Sequence, residues 1–419
     1  MDPAAAMAVI ARHCVVVPDA ECALEQAVGR VLRAPLTADR DTPPYDRVMM
    51  DGYAVRLAGG ERTGAARGVV RGGATVAAGA GRRYRVRGVA AAGQRPPALG
   101  GPDEAVEAMT GAVLPPGADA VVPVEWCRLE GDEVVVTPPP DAPPPAPGLY
   151  VHARGAGGRR GRVVVGAGTR LGPAEAAVAA SEGVRAVRAS PPLRVRLVTT
   201  GDEVVSPDAA PLPWQIRGSH ATGLQALLSA HGPIDWWHGH ARDRQDELAA
   251  TLAAALRDAD LLLVAGGVSR GRFDLVPGAL QSLGARELFH RVAQRPGKPL
   301  WFGVRDDVPV FGLPGNPLAV LVCARRYVVP AMDLRLGATP RAPLMLATRG
   351  RGAGLAGLTL YVPARLEADA AVLMPAANSG DLHALVGSDG FVEIPPPDDP
   401  AAPAAGEPPG PSAFYAWSR

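Results

Sequence analysis

The sequence is short of several residue types and patterns, and each shortage excludes a class of protein. There are four cysteines and no Cys-x-x-Cys pair, so neither a zinc site nor a thiol redox motif is indicated. No apolar run approaches the roughly 18 residues that a membrane span needs, so we expect no membrane partner. No basic segment precedes an apolar one at the N-terminus, so we expect no signal peptide. These absences predict a soluble, cytoplasmic protein.

The chain also lacks a net charge of either sign. Its 43 Lys and Arg residues are balanced by 42 Asp and Glu residues. Nucleic-acid binding requires clustered basic charge, so we expect no nucleic-acid partner. The 419 residues are too many for one ordinary hydrophobic core, and we expect about three or four domains.

Glycine (50 residues) and proline (44 residues) are abundant by contrast, and much of the excess lies in two segments. Residues 138–148 form a predicted linker, and the Pro- and Ala-rich residues 395–412 are predicted to be disordered. Residues 4–32 and 163–187 have helical patterns. Between them, short strand patterns punctuated by Gly and Pro predict a small β-domain, at 69–71, 84–89, 120–124 and 133–137.

Residues 193–330 alternate strand and helix patterns, which is typical of a doubly wound parallel sheet. A predicted helix follows each predicted strand of this region, and the strands lie at 193–199, 234–239, 261–264 and 308–311. Residues 341–394 return to alternating strand patterns. The second half of the chain therefore predicts an α/β domain followed by a β-domain.

Two glycine-rich loops follow strand patterns of the predicted sheet, at 265–274 (Ala-Gly-Gly-Val-Ser-Arg-Gly-Arg-Phe-Asp) and at 311–317 (Phe-Gly-Leu-Pro-Gly-Asn-Pro). An open parallel sheet binds its ligand outside the carboxyl ends of its strands. Asn316 is a suitable N-cap and Pro317 suits the first helical position, and the free N–H groups of a helix start attract an anion. The loops are either tight turns or, as two of them on one sheet suggest, the site of a phosphorylated small molecule.

Carboxylates follow the same predicted strands. Asp202 and Glu203 follow the first strand of the sheet, and Asp243 and Asp274 follow two others. Acidic side chains beside phosphate-binding loops are expected where Mg²⁺ offsets the phosphate charge. A solvated acidic turn is the favoured interpretation of Asp202 alone, and Asp274 is equally well explained as a helix cap.

Two sets of basic side chains remain. Arg291, Arg295 and Lys298 lie within one short segment, and together they suit a multiply charged anion, although Arg291 alone is better explained by a solvated strand. His238 and His240 occupy alternate positions of a predicted strand. They could bind a metal, but no third ligand is obvious nearby, and we interpret them as structural.

Taken together, these segments resemble the molybdopterin molybdenumtransferase family, of the MoeA and gephyrin E-domain type. Their order and spacing fit from about residue 1 to residue 395. The matching segments are Pro43-Pro-Tyr-Asp-Arg-Val-Met-Met-Asp-Gly-Tyr-Ala-Val55, Met109-Thr-Gly-Ala-Val-Leu-Pro-Pro-Gly-Ala-Asp-Ala-Val121 with Glu125, Thr200-Gly-Asp-Glu203, Gly266-Gly-Val-Ser-Arg-Gly-Arg-Phe-Asp274, Pro296-Gly-Lys-Pro299, Gly312-Leu-Pro-Gly-Asn-Pro317 and Ser379-Gly-Asp-Leu382. The combination is highly specific, although any one segment is not.

The resemblance implies a multidomain α/β plus β fold, in which a doubly wound parallel α/β domain binds the pterin. The implied parts are a discontinuous helical linker domain at 1–40 and 149–190, an inserted small β-domain at 41–148, the α/β domain at 191–335, a C-terminal β-barrel at 340–396 and a Pro/Ala-rich tail at 397–419. The protein would be an elongated homodimer. Each active site would lie between the α/β domain of one chain and the inserted domain of the other.

The implied reaction inserts molybdate into adenylylated molybdopterin, with Mg²⁺-dependent cleavage of the adenylate. By the same resemblance the catalytic residues would be Asp51, Thr110, Glu203, Asp243 and Asp274, with Glu203 and Asp274 holding the metal. The pterin phosphate would bind to Gly266, Gly267, Ser269, Arg291, Arg295, Lys298, Gly312, Pro314, Gly315, Asn316 and Ser379. The product could be handed over to a molybdoenzyme or its chaperone.

The chain departs from the family pattern where that pattern is usually Arg-x-x-Gly-Glu-Asp. This chain has His152-Ala-Arg-Gly-Ala-Gly157, so Ala156 and Gly157 replace an acidic pair. His220 replaces a usual Asn, and Arg272 a common acidic residue. The protein could therefore be an active insertase, or a catalytically impaired paralogue that binds molybdopterin or the cofactor as a carrier or chaperone. A molybdopterin adenylyltransferase is a third alternative, against which the inserted and C-terminal domains count.

Overall fold

The computed structural model describes residues 1–57, 81–268, 275–350, 354–378, 380–397 and 411–418. The chain divides into two compact units. The α/β unit comprises Met1–Pro35, Gly166–Ala180 and Val184–Arg419, and the β unit comprises Leu36–Val165 and Ser181–Gly183. The finer division into four domains and a tail stays a prediction. None of the helices that the structure describes has the length and apolar character to cross a membrane.

A six-stranded sheet forms the centre of the α/β unit. Its strands in chain order are β1 (Leu193–Thr200), β2 (Ile234–Ala241), β3 (Leu261–Ala265), β4 (Arg286–His290), β5 (Trp301–Arg305) and β6 (Val308–Leu313). Across the sheet the order is β2-β1-β3-β6-β5-β4. The first four of these are parallel, as predicted, whereas β5 and β4 are antiparallel additions. A tight turn joins β5 to β6, and a connection that short permits only an antiparallel pair.

Helices lie on both faces of this sheet. The helices that the structure describes are α1 (Pro3–Arg12), α2 (Pro173–Ser181), α3 (His220–Ser229), α4 (Gln245–Leu256), α5 (Val276–Ser282), α6 (Pro317–Cys323) and α7 (Val329–Leu336), with a π-helical turn at Ala324–Val328 and short 3₁₀ turns at Leu24–Ala27, Val124–Trp126 and Leu382–Leu385. Leu197 of β1 belongs to the core on the α3 and α6 side. Val198 belongs to the core on the α4 and α5 side. Burial on both faces explains the continuous apolar pattern of these strands.

The helix predicted over residues 4–32 is wrong beyond Arg12, where α1 ends. Ala20–Ala23 is instead a strand, paired antiparallel with Ala186–Ala189. Residues 15–17 are all valine and precede Pro18. Branched side chains disfavour a helix, and proline removes the N–H donor that a helix would need. Of the predicted helical pattern at 163–187, Pro173–Ser181 is helical.

The C-terminal part of the α/β unit contains a closed five-stranded barrel, as the resemblance implied. Its strands are Leu344–Arg349, Thr359–Glu367, Ala370–Leu373, Gly390–Ile394 and Ser412–Ala416. The barrel closes because Thr359–Glu367 pairs with both Ala370–Leu373 and Gly390–Ile394. A short strand before β5, Gln294–Arg295, pairs parallel with the start of Thr359–Glu367.

A strand at Ser412–Ala416 follows the segment 395–412 that was predicted to be disordered, and it lies within the predicted Pro/Ala-rich tail at 397–419. This strand pairs antiparallel with Leu344–Arg349 on one side and with Gly390–Ile394 on the other. Phe414 packs into one apolar cluster with Val392, and Tyr415 into another with Phe391. Phe414 and Tyr415 are therefore buried on opposite faces of the strand. The Pro- and Ala-rich residues before the strand give no indication of it.

The β unit contains a second six-stranded sheet. Its strands, in order across the sheet, are Ala120–Pro123, Gly52–Val55, Glu104–Ala108, Arg82–Ala90, Glu133–Val136 and Cys127–Glu130. The strands predicted near 84–89, 120–124 and 133–137 are confirmed, and the one predicted at 69–71 lies outside the described residues. Two short antiparallel pairs accompany the sheet, Arg47–Val48 with Val151–His152 and Leu36–Thr37 with Val163–Val165.

Candidate ligand-binding site

Three loops meet at the carboxyl edge of the parallel strands. They follow β1, β3 and β6, and the N–H of Gly266 donates to the carbonyl of Leu313 at 3.2 Å, which joins the last two. A Cβ atom on Gly266 would lie 2.7 Å from Oγ1 of Thr200, and its φ is +100°. Any larger residue at position 266 would therefore clash with the end of β1, and glycine is required there by close approach as well as by backbone angle.

The end of β6 and the loop after it also contact the loop after β3. A Cβ atom on Gly312 would come within 2.8 Å of the Val268 side chain, and one on Gly315 would lie 3.9 Å from the Cα of Gly266. Asn316 occupies the N-cap position of α6 and Pro317 its first turn, as predicted. The structure thus brings together Gly266, Gly267, Gly312, Pro314, Gly315 and Asn316. Ser269 lies outside the described residues.

Carboxylates accumulate at the same edge. Asp202 and Glu203 follow β1 and are exposed, and the backbone N–H of Asp243 donates to Oδ1 of Asp202 at 3.3 Å. Burial raises the pKa of Asp243, and the negative charges of Asp202 and Glu203 raise it further. Within the described ranges no group of three or more His, Cys, Asp or Glu side chains could hold a metal ion. Asp274, predicted as a metal ligand, lies outside those ranges.

The three predicted cations lie in residues 291–298, the segment that precedes β5. Arg291 has φ of +82°, and its N–H donates to the carbonyl of Leu300 at 2.8 Å. Lys298 is exposed and its carbonyl accepts from the N–H of Val292 at 3.0 Å. Lys298 is also the only lysine among the 43 basic residues of the chain. Arg295 lies in the short strand that pairs with the barrel.

Arg295 lines a cavity of about 250 Å³ between α6 and the barrel. Leu318 of α6, Leu360 and Tyr361 of the barrel and Asn378 line the same cavity. Asn378 directly precedes Ser379, the predicted site residue of the C-terminal domain, which lies outside the described residues. The cavity therefore places a predicted phosphate ligand beside the segment that leads to Ser379.

A second cavity, of about 420 Å³, lies beside the carboxyl ends of β1 and β2 and contains three histidines that sequence reasoning left out of the site. His220, His238 and His240 line it with Thr199 and Thr200. The Thr199 hydroxyl lies 2.9 Å from Nε2 of His238 and 3.0 Å from Nδ1 of His240. Burial lowers the pKa of His220, while its bond to the Gly315 backbone opposes that shift. In the sequence, the alternate spacing of His238 and His240 was the signal that could have indicated this cluster.

Asp51 and Thr110 form a separate pair in the β unit. The N–H and the hydroxyl of Thr110 both donate to Oδ1 of Asp51, at 2.7 and 2.8 Å. These two bonds, the backbone one first, hold the pKa of Asp51 below its ordinary value. The next residue is Gly52. A Cβ atom there would lie 1.9 Å from the Val122 carbonyl oxygen, so glycine is required at this position. Both members of the pair are exposed, so they are available to a ligand or to another chain.

The segment that departs from the family pattern is also in the β unit. The N–H of Gly157 donates to the carbonyl of Thr42 at 2.9 Å, and a Cβ atom on Gly157 would lie 3.1 Å from that oxygen. The neighbouring Arg154 donates to Asp41 at 2.8 Å. The backbone at position 157 is thus held close to Thr42, and positions 156 and 157 themselves have no carboxylate side chain.

The fold and these loops define a multidomain protein with an α/β ligand-binding domain, and the comparisons with known proteins specify which class. The family model "MoeA N-terminal region (domain I and II)" matches residues 1–183, and "Probable molybdopterin binding domain" matches residues 196–333. A molybdopterin molybdenumtransferase of Synechocystis sp. is 32% identical over 422 residues, covering 99% of this chain and 99% of that protein. One of Bacillus subtilis is 31% identical over 74% of this chain and 69% of its own.

A solved structure agrees with the sequence relatives. The molybdopterin biosynthesis MoeA protein from Pyrococcus horikosii matches with a TM-score of 0.73 and 28% identity, covering 100% of this chain and 99% of that one. The chain belongs to the molybdopterin molybdenumtransferase family, also called MoeA, whose members are transferases of molybdenum cofactor biosynthesis. The resemblance inferred from the motifs is confirmed.

Proposed function

We propose that this protein inserts molybdate into adenylylated molybdopterin and cleaves the adenylate in the process. The observation that carries the proposal is the meeting of two glycine-rich loops, after β3 and β6, with the end of β1, which is followed by exposed carboxylates. Backbone N–H groups and Lys298 suit the phosphates of such a substrate, since both donate to anionic oxygens. Cleavage by water breaks one P–O bond of the diphosphate link, and the water oxygen forms the new P–O bond, so that AMP and the pterin phosphate are the products.

The basic side chains support this assignment by their charge. Pterin phosphate, adenylate and molybdate are all anions, and Arg291, Arg295 and Lys298 supply positive charge from one short segment. Arginine matches the geometry of phosphate oxygens, whereas lysine acts as a point charge. Arg295 and the segment before Ser379 line the same cavity, which supports their placement around one anionic part of the ligand.

We place Mg²⁺ with Glu203 and Asp274. Asp202, Glu203 and Asp243 have no ion-pair partner in the part of the chain that the structure describes, and burial together with the charges of Asp202 and Glu203 raises the pKa of Asp243. An uncompensated group of carboxylates fits a hard cation that prefers oxygen ligands. When bound, Mg²⁺ supplies charge that offsets the phosphates and the leaving AMP. The negative charge of Asp243 then helps to balance the positive charge of the bound Mg²⁺.

We further propose that the protein works as a homodimer, in which Asp51 and Thr110 of one chain complete the site of the other. Both residues are exposed, and the hydrogen bonds from Thr110 keep Asp51 ionised. Sedimentation at micromolar concentration should show a dimer, and a monomer alone would contradict this part of the proposal. Handover of the product to a molybdoenzyme or its chaperone is a further expectation.

A second candidate function is that of a paralogue which binds molybdopterin or the cofactor without efficient turnover. Ala156 and Gly157 favour it, because they remove two carboxylates that the family pattern usually contains. The decisive experiment is complementation of a strain that lacks its molybdenum insertase, read as molybdoenzyme activity at low molybdate. Rescue supports the insertase, whereas no rescue by a protein that binds the pterin supports the carrier.

A further inference from the structure

The three-residue chain His238–Thr199–His240 has no part in the proposed reaction, yet it lines the 420 Å³ cavity. It exists because β1 and β2 are parallel and in register. Thr199 lies opposite His240 and Leu197 lies opposite His238, so the two imidazoles project from the same face on either side of the hydroxyl. The contacts are 2.9 Å to His238 Nε2 and 3.0 Å to His240 Nδ1.

The hydroxyl must donate to one imidazole and accept from the other. Thr199 is 6% exposed, and in the described part of the chain its hydroxyl has no hydrogen-bond partner besides the two rings. A hydroxyl has one proton and two lone pairs. If both rings donated to it, its own proton would be buried without an acceptor, which is costly.

For neutral rings, this requirement gives His238 and His240 the same tautomer. If Thr199 donates to Nε2 of His238 and accepts from Nδ1 of His240, both rings are protonated at Nδ1. If the direction is reversed, both are protonated at Nε2. Either way the two remaining nitrogens, Nδ1 of His238 and Nε2 of His240, are one donor and one acceptor.

Burial in the cavity favours the neutral forms of His238 and His220. Burial lowers the pKa of His238, and a charge on His240 would lower it further. His220, which faces the cavity from the start of α3, also has its pKa lowered by burial. Asp243, whose own charge is affected by Asp202 and Glu203, is an acidic group that interacts with His240.

We propose that His238 and His240, joined by Thr199, bind the edge of a planar nitrogen heterocycle that presents a hydrogen-bond donor next to an acceptor. The inference rests on the proposed function, because adenylylated molybdopterin contains two such rings, a pterin and an adenine. A phosphate group does not fit this pair, since it offers acceptors only and would place a negative oxygen against the bare imidazole nitrogen. Thr199 is a positioning residue, because it acts through the two histidines.

Binding to the full-length protein tests the proposal, with AMP and neopterin as ring probes and ribose 5-phosphate as the phosphate probe. Thr199→Val keeps the shape of the side chain and removes the hydroxyl. It should weaken one of the two ring probes about tenfold, the size expected for losing hydrogen bonds in a site built to make them. Ribose 5-phosphate binding should not change. The matched control is Thr222→Val, which alters another threonine of the same cavity and should leave all three affinities unchanged.

The probes separate the possible failures. Equal binding of AMP and of neopterin by Thr199→Val and by the wild type overturns the heterocycle site, while ribose 5-phosphate binding that depends on Lys298 leaves the proposed function intact. If the wild type binds none of the three probes, the proposed function fails and the inference fails with it. Nitrogen-15 NMR of the imidazoles at neutral pH gives a direct second measurement. The proposal requires the same tautomer in His238 and His240, and opposite tautomers overturn it.

Discussion

The carboxylate of Asp51 receives two hydrogen bonds on one oxygen from a single residue, Thr110, at 2.7 Å from the N–H and 2.8 Å from the hydroxyl. The pair exists because Gly52 and Ala108 are partners in antiparallel strands, so Asp51 and Thr110 lie just beyond the end of the same ladder. Donors to a carboxylate favour its ionised form. Asp51 is therefore held as an acceptor and not as an acid.

Thr110→Val should raise the pKa of Asp51 toward its ordinary value, but only in part, because the larger contribution comes from the backbone N–H that valine retains. The depressed pKa stabilises the fold above the unfolded-state pKa, and this contribution is lost as the pH falls through the folded value. A carboxyl-carbon NMR titration between about pH 2 and about pH 6 measures the shift. The exposed Thr137→Val is the control, and an unshifted Asp51 in Thr110→Val would count against the hydrogen-bond assignment.

Lys298→Ala should weaken the binding of a pterin phosphate by roughly 1–3 kcal/mol, as expected for one charge-assisted contact. Since Lys298 is the only lysine, no neighbouring lysine can substitute for it. Arg244→Ala, at an exposed position of the same unit, serves as the charge-matched control. Calorimetry measures both affinities, and unchanged binding by Lys298→Ala would remove this side chain from the site.

Asp274→Asn should leave thermal stability nearly unchanged, because the N-cap of α5 is Leu275 and not the predicted Asp274, so the substitution removes a charge without removing a cap. It should reduce Mg²⁺-dependent hydrolysis of the adenylate by about an order of magnitude or more, the size expected for one lost electrostatic contact in the transition state. Thermal unfolding and AMP release are the two measurements. A variant that is stable and fully active would contradict the assignment of Asp274 to the metal.

Gly157→Asp should raise adenylate hydrolysis if the missing carboxylate limits turnover. A Cβ atom at this position lies 3.1 Å from the Thr42 oxygen, so any side chain introduces some crowding. Gly157→Ala introduces the same Cβ without the carboxylate, and the ratio of the two hydrolysis rates isolates the effect of the charge. Equal rates would show that the carboxylate at this position does not limit the reaction.

Phe414→Ala should destabilise the barrel by about 3–5 kcal/mol, the usual cost of removing a buried aromatic ring. Phe414 is 1% exposed and packs with Val392 and Ala364 inside the barrel. Val386→Ala, at a side chain that is 76% exposed, should change the unfolding free energy by no more than about 0.5 kcal/mol. Urea unfolding compares the two, and similar midpoints would mean that the final strand contributes little.

The sequence predicted those parts of the fold whose signals are local. Strand β3 is a continuous apolar run, and the loops around Gly266 and Gly312 are marked by glycine and proline. Strand β4 was missed because its residues, Arg-Glu-Leu-Phe-His, mix charge with apolar side chains and have a register shift against β5. The strand at Ser412–Ala416 was missed because its burial depends on distant strands of the barrel.

The same distinction between local signals and contacts with distant residues applies to the candidate site. Asp51, Thr110 and the glycine loops could be proposed from the sequence because short motifs contain them. The contact between Thr199 and the two histidines could not be predicted, because it depends on the register of β1 against β2 and not on the spacing within either strand. The clash that would follow from a side chain at Gly266 depends likewise on Thr200, a residue of another strand.

The position of the closing strand has a consequence for the order of events during synthesis. Four barrel strands leave the ribosome before Ser412–Ala416, and until that segment follows, Leu344–Arg349 and Gly390–Ile394 have unpaired edges. Unpaired apolar edges are the usual starting point of aggregation. A nascent chain stalled before residue 412 would therefore be a natural client for chaperones. Once Ser412–Ala416 has been synthesised, it can pair with both edge strands and close the barrel.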